Sequence, residues 1–245
     1  MAAWVATPSP NPLPGGEGFV VDLGEGSVRA LNAALHGLGA DTNRTLWRVL
    51  NPRGQHALAV GLDAPIRVEI AGHAGYYCAG MNKGATVVIE GNAGNGVAEN
   101  MMSGRVHVRG DASAAAGATA HGGMLVIEGN AAARCGISMK GADIVVGGNV
   151  GHMSAFMAQA GTLTVLGDAG ESLGDSIYEA QLFVRGSVAS LGADCVEKPM
   201  REAHLVALAA RLEAAGFGGV EVGAFRRYGS ARRLYHFNVD NAGEY

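Results

Sequence analysis

The sequence predicts an all-β fold: a single-stranded parallel β-helix of about seven 19-residue turns, with short capping helices at both ends. Three observations support it: 39 glycines among 245 residues, a hydrophobic fraction of 48%, and a repeat of constant length. Glycine makes up about 7% of an ordinary chain, so this chain needs many tight turns. Its hydrophobic fraction is too high for a disordered linker, and the absence of a strict Gly-X-Y period excludes collagen.

The repeat is a short aliphatic segment that ends in glycine. It recurs every 19 residues, and the closing glycines are Gly72, Gly91, Gly110, Gly129, Gly148, Gly167 and Gly186. The residues two and four positions before each glycine are always aliphatic, as Val87 and Ile89 are before Gly91. Such alternation predicts a strand with one buried face. We expect the glycine to allow a left-handed or strained turn that a Cβ would hinder.

The length of the unit selects the kind of solenoid. Nineteen residues leave room for two or three short strands and their corners, but not for a strand followed by a full helix. Leucine-rich repeats need a denser leucine pattern, and helical repeats lack strand alternation. One unit per turn of a parallel β-helix fits best, with neighbouring turns roughly 4.8 Å apart. The ends of such a solenoid need caps.

The regions flanking the repeat divide the chain into four predicted segments. These segments are 1–18, a disordered Pro/Gly-rich tail; 19–65, an N-terminal cap of a helix and a hairpin; 66–200, the β-helix; and 201–245, a C-terminal helix followed by an extended docking tail.

Local signals place the elements of the caps. Residues 27–38 predict a helix with Ser27 as its N-cap, and residues 46–60 predict a hairpin. Residues 201–215 predict an amphipathic helix that ends at Gly216.

Composition excludes several classes of function. The net charge is −4 and the basic residues are scattered, so no basic run indicates nucleic acid as a partner. No apolar stretch approaches the roughly 20 residues that span a bilayer. The first eighteen residues lack the basic start and apolar core of a secretory signal. We therefore expect a cytoplasmic protein that binds neither nucleic acid nor a membrane.

No catalytic, cofactor or metal site is expected on this chain. Cys78 and Cys135 follow their repeat glycines by six residues and lie three turns apart, roughly 14 Å, which is too far for a disulfide or a shared metal. With Cys195, they are predicted to be small buried hydrophobic residues. The glycines of 91–96 imitate a nucleotide-binding loop, but no helix follows them. The histidines, serines and carboxylates form no recognisable triad or pair.

Methionines recur in the corner segments that follow the closing glycines. They predict either an irregular second core face or an adaptable apolar surface for another protein. These methionines are Met81, Met101, Met102, Met139, Met153 and Met157.

Several strings of the sequence resemble one known family. They are YYCAGMNKG (76–84), GVAENMMSG (96–104), RCGISMKG (134–141), GHMSAFMAQAG (151–161) and the tail FRRYGSARRLYHF. Together with the repeat, they resemble the GXGXG domain of glutamate synthase from about residue 20 to 245. The likeness is strongest to the stand-alone form of that domain, the small subunit of N-methylglutamate synthases.

The resemblance implies a structural, non-catalytic subunit of a hetero-oligomer. In glutamate synthase the domain is a right-handed β-helix between a glutamine-amidotransferase domain and an FMN/iron–sulfur synthase barrel, and it performs no chemistry. In N-methylglutamate synthase these modules are separate subunits, which convert methylamine and glutamate to N-methylglutamate and ammonia. The partners are then an amidotransferase-like subunit and a synthase subunit that carries FMN and an iron–sulfur cluster. No cofactor is expected on this chain.

Corner and tail residues are the candidate contacts with those partners. They are Met81, Asn82, Lys83, Asn100, Met101, Lys140, Met153, Arg226, Arg227 and Tyr228.

Other functions stay open at this point. A subunit of a formylmethanofuran dehydrogenase or formyltransferase/hydrolase complex carries similar repeats, although the RRYGSARRLYHF tail is not expected in it. A free-standing β-helix enzyme is less favoured, since hexapeptide acyltransferases repeat at 18 residues and polysaccharide lyases carry an acidic groove. A filament-forming solenoid is disfavoured because both ends are predicted to be capped.

Overall fold

The computed structural model of the protein describes residues 7–8 and 18–232. Within them, twelve strands and two α-helices form. Their bounds are β1 Thr7–Pro8, β2 Gly18–Asp22, α1 Val28–His36, β3 Leu46–Leu50, β4 Arg67–Ile70, β5 Thr86–Ile89, β6 Arg105–Val108, β7 Met124–Ile127, β8 Lys140–Val146, β9 Ala160–Val165, β10 Gln181–Val184, β11 Cys195–Lys198, α2 Glu202–Ala215 and β12 Arg226–Ser230. The strands make one sheet in the order β1 to β10, then β12, then β11.

Strands β4 to β10 confirm the predicted β-helix. Each pairs in parallel with the next at an offset of 19 residues, so that Val87 lies beside Val68 and Val106. The aliphatic residues two and four positions before the seven closing glycines are all fully buried. A second line of parallel contacts runs two residues after the glycines, as between Ala93 and Ala112.

A polar ladder runs along the solenoid one residue after each closing glycine. Its members are His73, Asn92, Asp111, Asn130, Asn149, Asp168 and Ser187, and each of the first six accepts a hydrogen bond from the backbone N–H of the next. The N–H of Asp168, for example, donates to Oδ1 of Asn149 at 2.8 Å. These exposed groups thus satisfy backbone donors that strand pairing leaves open.

The closing glycines were predicted to allow a left-handed or strained turn, and for six of the seven this prediction is wrong. Only Gly72 has a positive φ, while the other six lie outside the left-handed region. A Cβ on Gly148 would instead overlap Oδ1 of Asn130 and lie 2.9 Å from the carbonyl oxygen of Gly129. Glycine is needed there because the preceding turn approaches too closely for any side chain.

The first helix closes the N-terminal end of the solenoid, as predicted. Oγ of Ser27 accepts from the N–H of Ala30 at 3.2 Å, and Leu31 and Leu35 are buried in the main core. Nδ2 of Asn32 donates to the carbonyl of Ala57 at 2.8 Å, which ties the helix to the first corner.

The predicted hairpin over 46–60 is wrong. Strand β3 pairs in parallel with both β2 and β4, and residues 51–66 form turns instead of a returning strand. Ala57 and Ala59 have positive φ, as the corners of later turns do. The residues assigned to a cap therefore build further turns of the solenoid. Within 1–18, β1 pairs antiparallel with β2, and most of that segment lies outside the described residues.

The second helix forms at the predicted place and packs along the flank of the solenoid. Its Leu208 and Leu212 contact Val126, Val145 and Phe183 on the outer faces of the strands. The C-terminal end is covered by β12, which pairs antiparallel with β10 and then with β11. The remainder of the docking tail, 233–245, lies outside the described residues.

Candidate functional site

Each turn leaves its strand through a corner in which backbone handedness alternates. Residues five, seven and nine positions after the closing glycine all have positive φ in the turns that begin at Gly72 to Gly167; Tyr77, Ala79 and Met81 show values of 58°, 54° and 55°. Such a backbone is uncommon outside glycine. Here hydrogen bonds to both neighbouring turns fix it: the N–H of Met81 donates to Glu99 at 2.8 Å, and that of Lys83 to Leu62 at 2.7 Å.

The middle position of each corner is always alanine or glycine and is buried. The residues are Ala79, Ala98, Gly117, Gly136, Ala155 and Gly174. A Cβ on Gly117 would lie 2.6 Å from Cδ1 of Ile144, so the aliphatic rows fill the space that a larger side chain would need. The corner backbone is therefore held against the core.

The corners create one continuous surface. We define the corner face as the side chains nine and eleven residues after the closing glycines: Met81, Lys83, Asn100, Met102, Thr119, His121, Ser138, Lys140, Met157, Gln159, Ser176 and Tyr178. Met81, Met102, Met157 and Tyr178 are 46%, 47%, 38% and 39% exposed. These apolar side chains form two groups, one in the first two turns and one in the last two, with polar side chains between them. Exposed methionines in such groups are typical of a surface that another protein covers.

The methionines divide between the core and the surface. Met101 and Met139, ten residues after their glycines, point inward and are fully buried. Met81, Met102 and Met157, one position away, are exposed.

Four of the predicted contact residues lie on the corner face. Met81, Lys83 and Lys140 are exposed, while Asn100 is half-buried. Nζ of Lys83 lies 3.0 Å from Oδ2 of Asp63, and Oγ1 of Thr119 donates to Oδ1 of Asn100 at 2.6 Å. Met81, Lys83 and Lys140 are therefore accessible at the surface, while Thr119 holds the side chain of Asn100.

Three predicted contacts need correction because their side chains lie inside the protein. Met101 and Tyr228 belong to the main core. Asn82 is fully buried, and its Nδ2 donates to the carbonyls of Ala85 at 2.8 Å and Ser103 at 3.2 Å. Asn82 therefore pins the corner backbone, and no partner reaches it while the chain is folded.

The remaining predicted contacts lie elsewhere. Met153 is half-buried, five residues after its glycine. Arg226 and Arg227 are on β12, where Nη2 of Arg226 donates to Gly186 at 3.1 Å and Nε of Arg227 to Pro199 at 3.2 Å. The structure therefore divides the predicted set among the corner face, the protein interior, the corner position of Met153 and the C-terminal strand.

One polar cluster was not predicted from the sequence. On the outer sheet face, Oε1 of Glu128 lies 2.8 Å from Nε2 of His107 and 3.1 Å from Nη1 of Arg109, which also pairs with Glu90 at 3.0 Å. Burial lowers the pKa of His107, although Glu128 opposes this shift. The sequence shows that polar and apolar side chains alternate along these strands. Which polar side chains meet becomes clear when residues about 19 positions apart are placed side by side on neighbouring strands.

Burial determines the chemistry of the three cysteines. Burial raises the pKa of the Cys78 and Cys135 thiols to about 12 and that of Cys195 to about 11, so thiolates do not form near neutral pH. Among the described residues, no three His, Cys, Asp or Glu side chains could hold a metal ion together. The clefts lined by described residues include one of about 320 Å³ beside Thr45 and Thr86 and one of about 210 Å³ beside Met157 and Tyr178.

Comparison with known proteins identifies a family and a relative. Residues 42–215 match the family described as "GXGXG motif". The chain is 68% identical to Protein GlxC of Rhizobium meliloti (strain 1021) over 226 residues, which is 92% of this chain and 99% of that relative. Within 7–8 and 18–232, no helix is long and apolar enough to cross a membrane.

Proposed function

The chain belongs to the GXGXG family, and on that premise we propose that it is a structural, non-catalytic subunit of a glutamate-synthase-type enzyme complex. The observation that carries this proposal is the corner face. A backbone that is hydrogen-bonded from turn to turn presents the exposed methionines Met81 and Met102 near one end of the solenoid and Met157 nearer the other. A rigid frame with adaptable side chains suits a subunit that positions other subunits.

The specific complex that we propose is an N-methylglutamate synthase. An amidotransferase-like subunit and an FMN/iron–sulfur synthase subunit would be the partners, and both cofactors would belong to the synthase subunit. Support comes from the resemblance of the corner strings and the RRYGSARRLYHF tail to the small subunit of such enzymes. The three cysteines lie in different turns, whereas a cluster is held by several neighbouring thiolates, which supports a cluster carried by the synthase subunit.

Purification of the tagged chain from its native cells tests the complex. We expect an amidotransferase-like chain and a coloured chain with flavin and iron–sulfur absorbance to copurify, and the complex to form N-methylglutamate from methylamine and glutamate. Copurification with pterin-linked one-carbon enzymes would instead favour the formylmethanofuran alternative. A colourless chain recovered alone would refute the proposed function.

Variants locate the docking surface. Replacing both Met81 and Met102 with Asp should reduce the yield of copurified partners at least tenfold, because two charges would have to be buried in an apolar contact. Arg226→Glu with Arg227→Glu should also weaken assembly. The matched control is Val206→Asp, since Val206 is 62% exposed on α2, away from the corner face. Full assembly of the double methionine variant would exclude the corner face.

A further inference from the structure

The cleft of about 210 Å³ lies where the described chain ends. Its lining residues are Met157, Ser176, Ile177, Tyr178, Asp194 and Arg232. The guanidinium of Arg232 forms an ion pair with Asp194, and the N–H of Ala231 donates to the carbonyl of Asp194 at 2.7 Å. These two contacts fasten the chain to the rim of the cleft, so the segment that follows starts beside an opening of mixed lining, with Met157, Ile177 and Tyr178 as its apolar side chains.

The sequence of that segment suits the cleft. Tyr235, Phe237 and Val239 alternate with His236 and Asn238, and alternation with period two predicts an extended segment with one apolar face. Tyr235 follows Arg232 by three residues, so it lies at most about 10 Å away. An apolar cavity of roughly 150 Å³ holds a benzene molecule, so the cleft has room for an aromatic ring.

The charges of Lys140 and of the acidic C-terminal residues favour a path of the tail along the corner face. Lys140 lies 38 residues, or two turns, before Tyr178 on the corner face, which is roughly 10 Å along the solenoid axis. It is exposed and makes no ion pair with the part of the chain that the structure describes. The segment after Val239 carries Asp240 and Glu244, and an extended chain from Arg232 to Asp240 spans up to about 26 Å.

We propose that residues 235–239 of this same chain occupy the cleft and cover the C-terminal part of the corner face. Tyr235 enters the cleft between Met157 and Tyr178, and Asp240 approaches Lys140. The contact lies within one chain, so the inference goes beyond the proposed function and does not depend on any partner subunit.

Disulfide trapping in the dilute, isolated full-length chain tests this contact. Met157→Cys combined with Tyr235→Cys should form an intramolecular disulfide at least tenfold faster than Met81→Cys combined with Tyr235→Cys. Met81 is a matched control: it occupies the same corner position with the same positive φ, is similarly exposed, and lies four turns away, roughly 19 Å. The native thiols give little background because they are buried. Equal rates for the two pairs would overturn the proposal.

Methionine oxidation provides a second measurement that leaves the cleft unchanged. Hydrogen peroxide converts accessible methionine to its sulfoxide, which peptide mass spectrometry quantifies. Met157 should oxidise at least threefold more slowly in the full-length chain than in a chain truncated after Arg232, whereas Met81 should oxidise equally in both. No protection of Met157 in the isolated full-length chain would overturn the proposal, and protection only after a partner is added would assign the tail to that partner.

Discussion

The backbone N–H of Asn149 donates a 2.9 Å hydrogen bond to Oδ1 of Asn130, the residue at the same position one turn earlier. This bond is one rung of the polar ladder, and it also brings Asn130 against Gly148. The closing glycine and the polar residue that follows it therefore depend on each other: the polar side chain of one turn packs where the glycine of the next turn leaves room for it.

Removing a rung should destabilise the solenoid. Asn130→Ala leaves the N–H of Asn149 without its acceptor, and a lost hydrogen bond of this kind costs about 0.5–1.5 kcal/mol. Urea unfolding should show a lower free energy of unfolding by that amount. Asn95→Ala is the control, because the exposed side chain of Asn95 accepts a hydrogen bond from the hydroxyl of Ser113 instead of from a backbone N–H. An equal loss of stability in both variants would contradict a special role of the polar ladder.

Gly148→Ala should be more harmful. The new Cβ would overlap Oδ1 of Asn130 and crowd the carbonyl of Gly129, and overpacking of this type costs about 1–3 kcal/mol. The free energy of unfolding should fall accordingly. Adding Asn130→Ala should recover part of the loss, because it removes one of the two overlapping groups.

Gly37→Ala is the matched control for that substitution. Gly37 also has a negative φ, of −75°, and a Cβ there would lie 3.6 Å from its nearest neighbours. Its stability should stay within about 0.5 kcal/mol of wild type. Equal destabilisation by both alanines would contradict the proposed crowding.

Stability should depend on pH through Asp168. Hydrogen bonds from the backbone N–H and the hydroxyl of Ser187 lower the pKa of this carboxyl below its usual 3.8. A carboxyl whose pKa is lower in the folded state stabilises the fold above the unfolded-state pKa, and this contribution is lost as the pH falls through the folded-state pKa. Asp168→Asn keeps an acceptor oxygen without the titration, so it should lose less stability than wild type between pH 5 and 2.5. Parallel stability curves for the two proteins would contradict this assignment.

The three thiols should be inert in the folded protein. Their raised pKa values, about 12 for Cys78 and Cys135 and about 11 for Cys195, predict less than one thiol per chain reacting with a disulfide reagent at pH 8. All three should react in denaturant. Rapid reaction of one thiol in the native chain would reveal local opening, with Cys195, near the C-terminal end, as the first to examine.

Much of the fold could be predicted because its signal is periodic. A spacing of 19 between glycines and aliphatic pairs fixes the register of β4 to β10, and the two helices carry recognisable ends at Ser27 and Gly216. The hairpin failed because HALAV alternates like a strand, although its alanines occupy left-handed corners. Local propensity cannot show that Ala57 and Ala59 are held by the neighbouring turn.

The candidate site was predicted less well for a related reason. Adjacent residues of a corner alternate between core and surface, so a shift of one position separates buried Met101 from exposed Met102. Composition alone does not distinguish them. The decisive clue is the invariably small residue seven positions after each glycine, which fixes the inward side of the corner and hence the side chains that face outward.

The constant 19-residue period makes the length of this protein change in whole steps. Deleting 111–129 would join Gly110 to Asn130, so that Asn130 would stack on Asn92 with strands and corners still in register. Deleting one residue more or fewer would put the turn at the junction out of register with the turn before it, so that core side chains there would face outward. The length of the solenoid therefore changes in steps of roughly 4.8 Å, one for each turn. Duplication or loss of a single 19-residue turn in evolution would change the separation of two attached proteins by one such step.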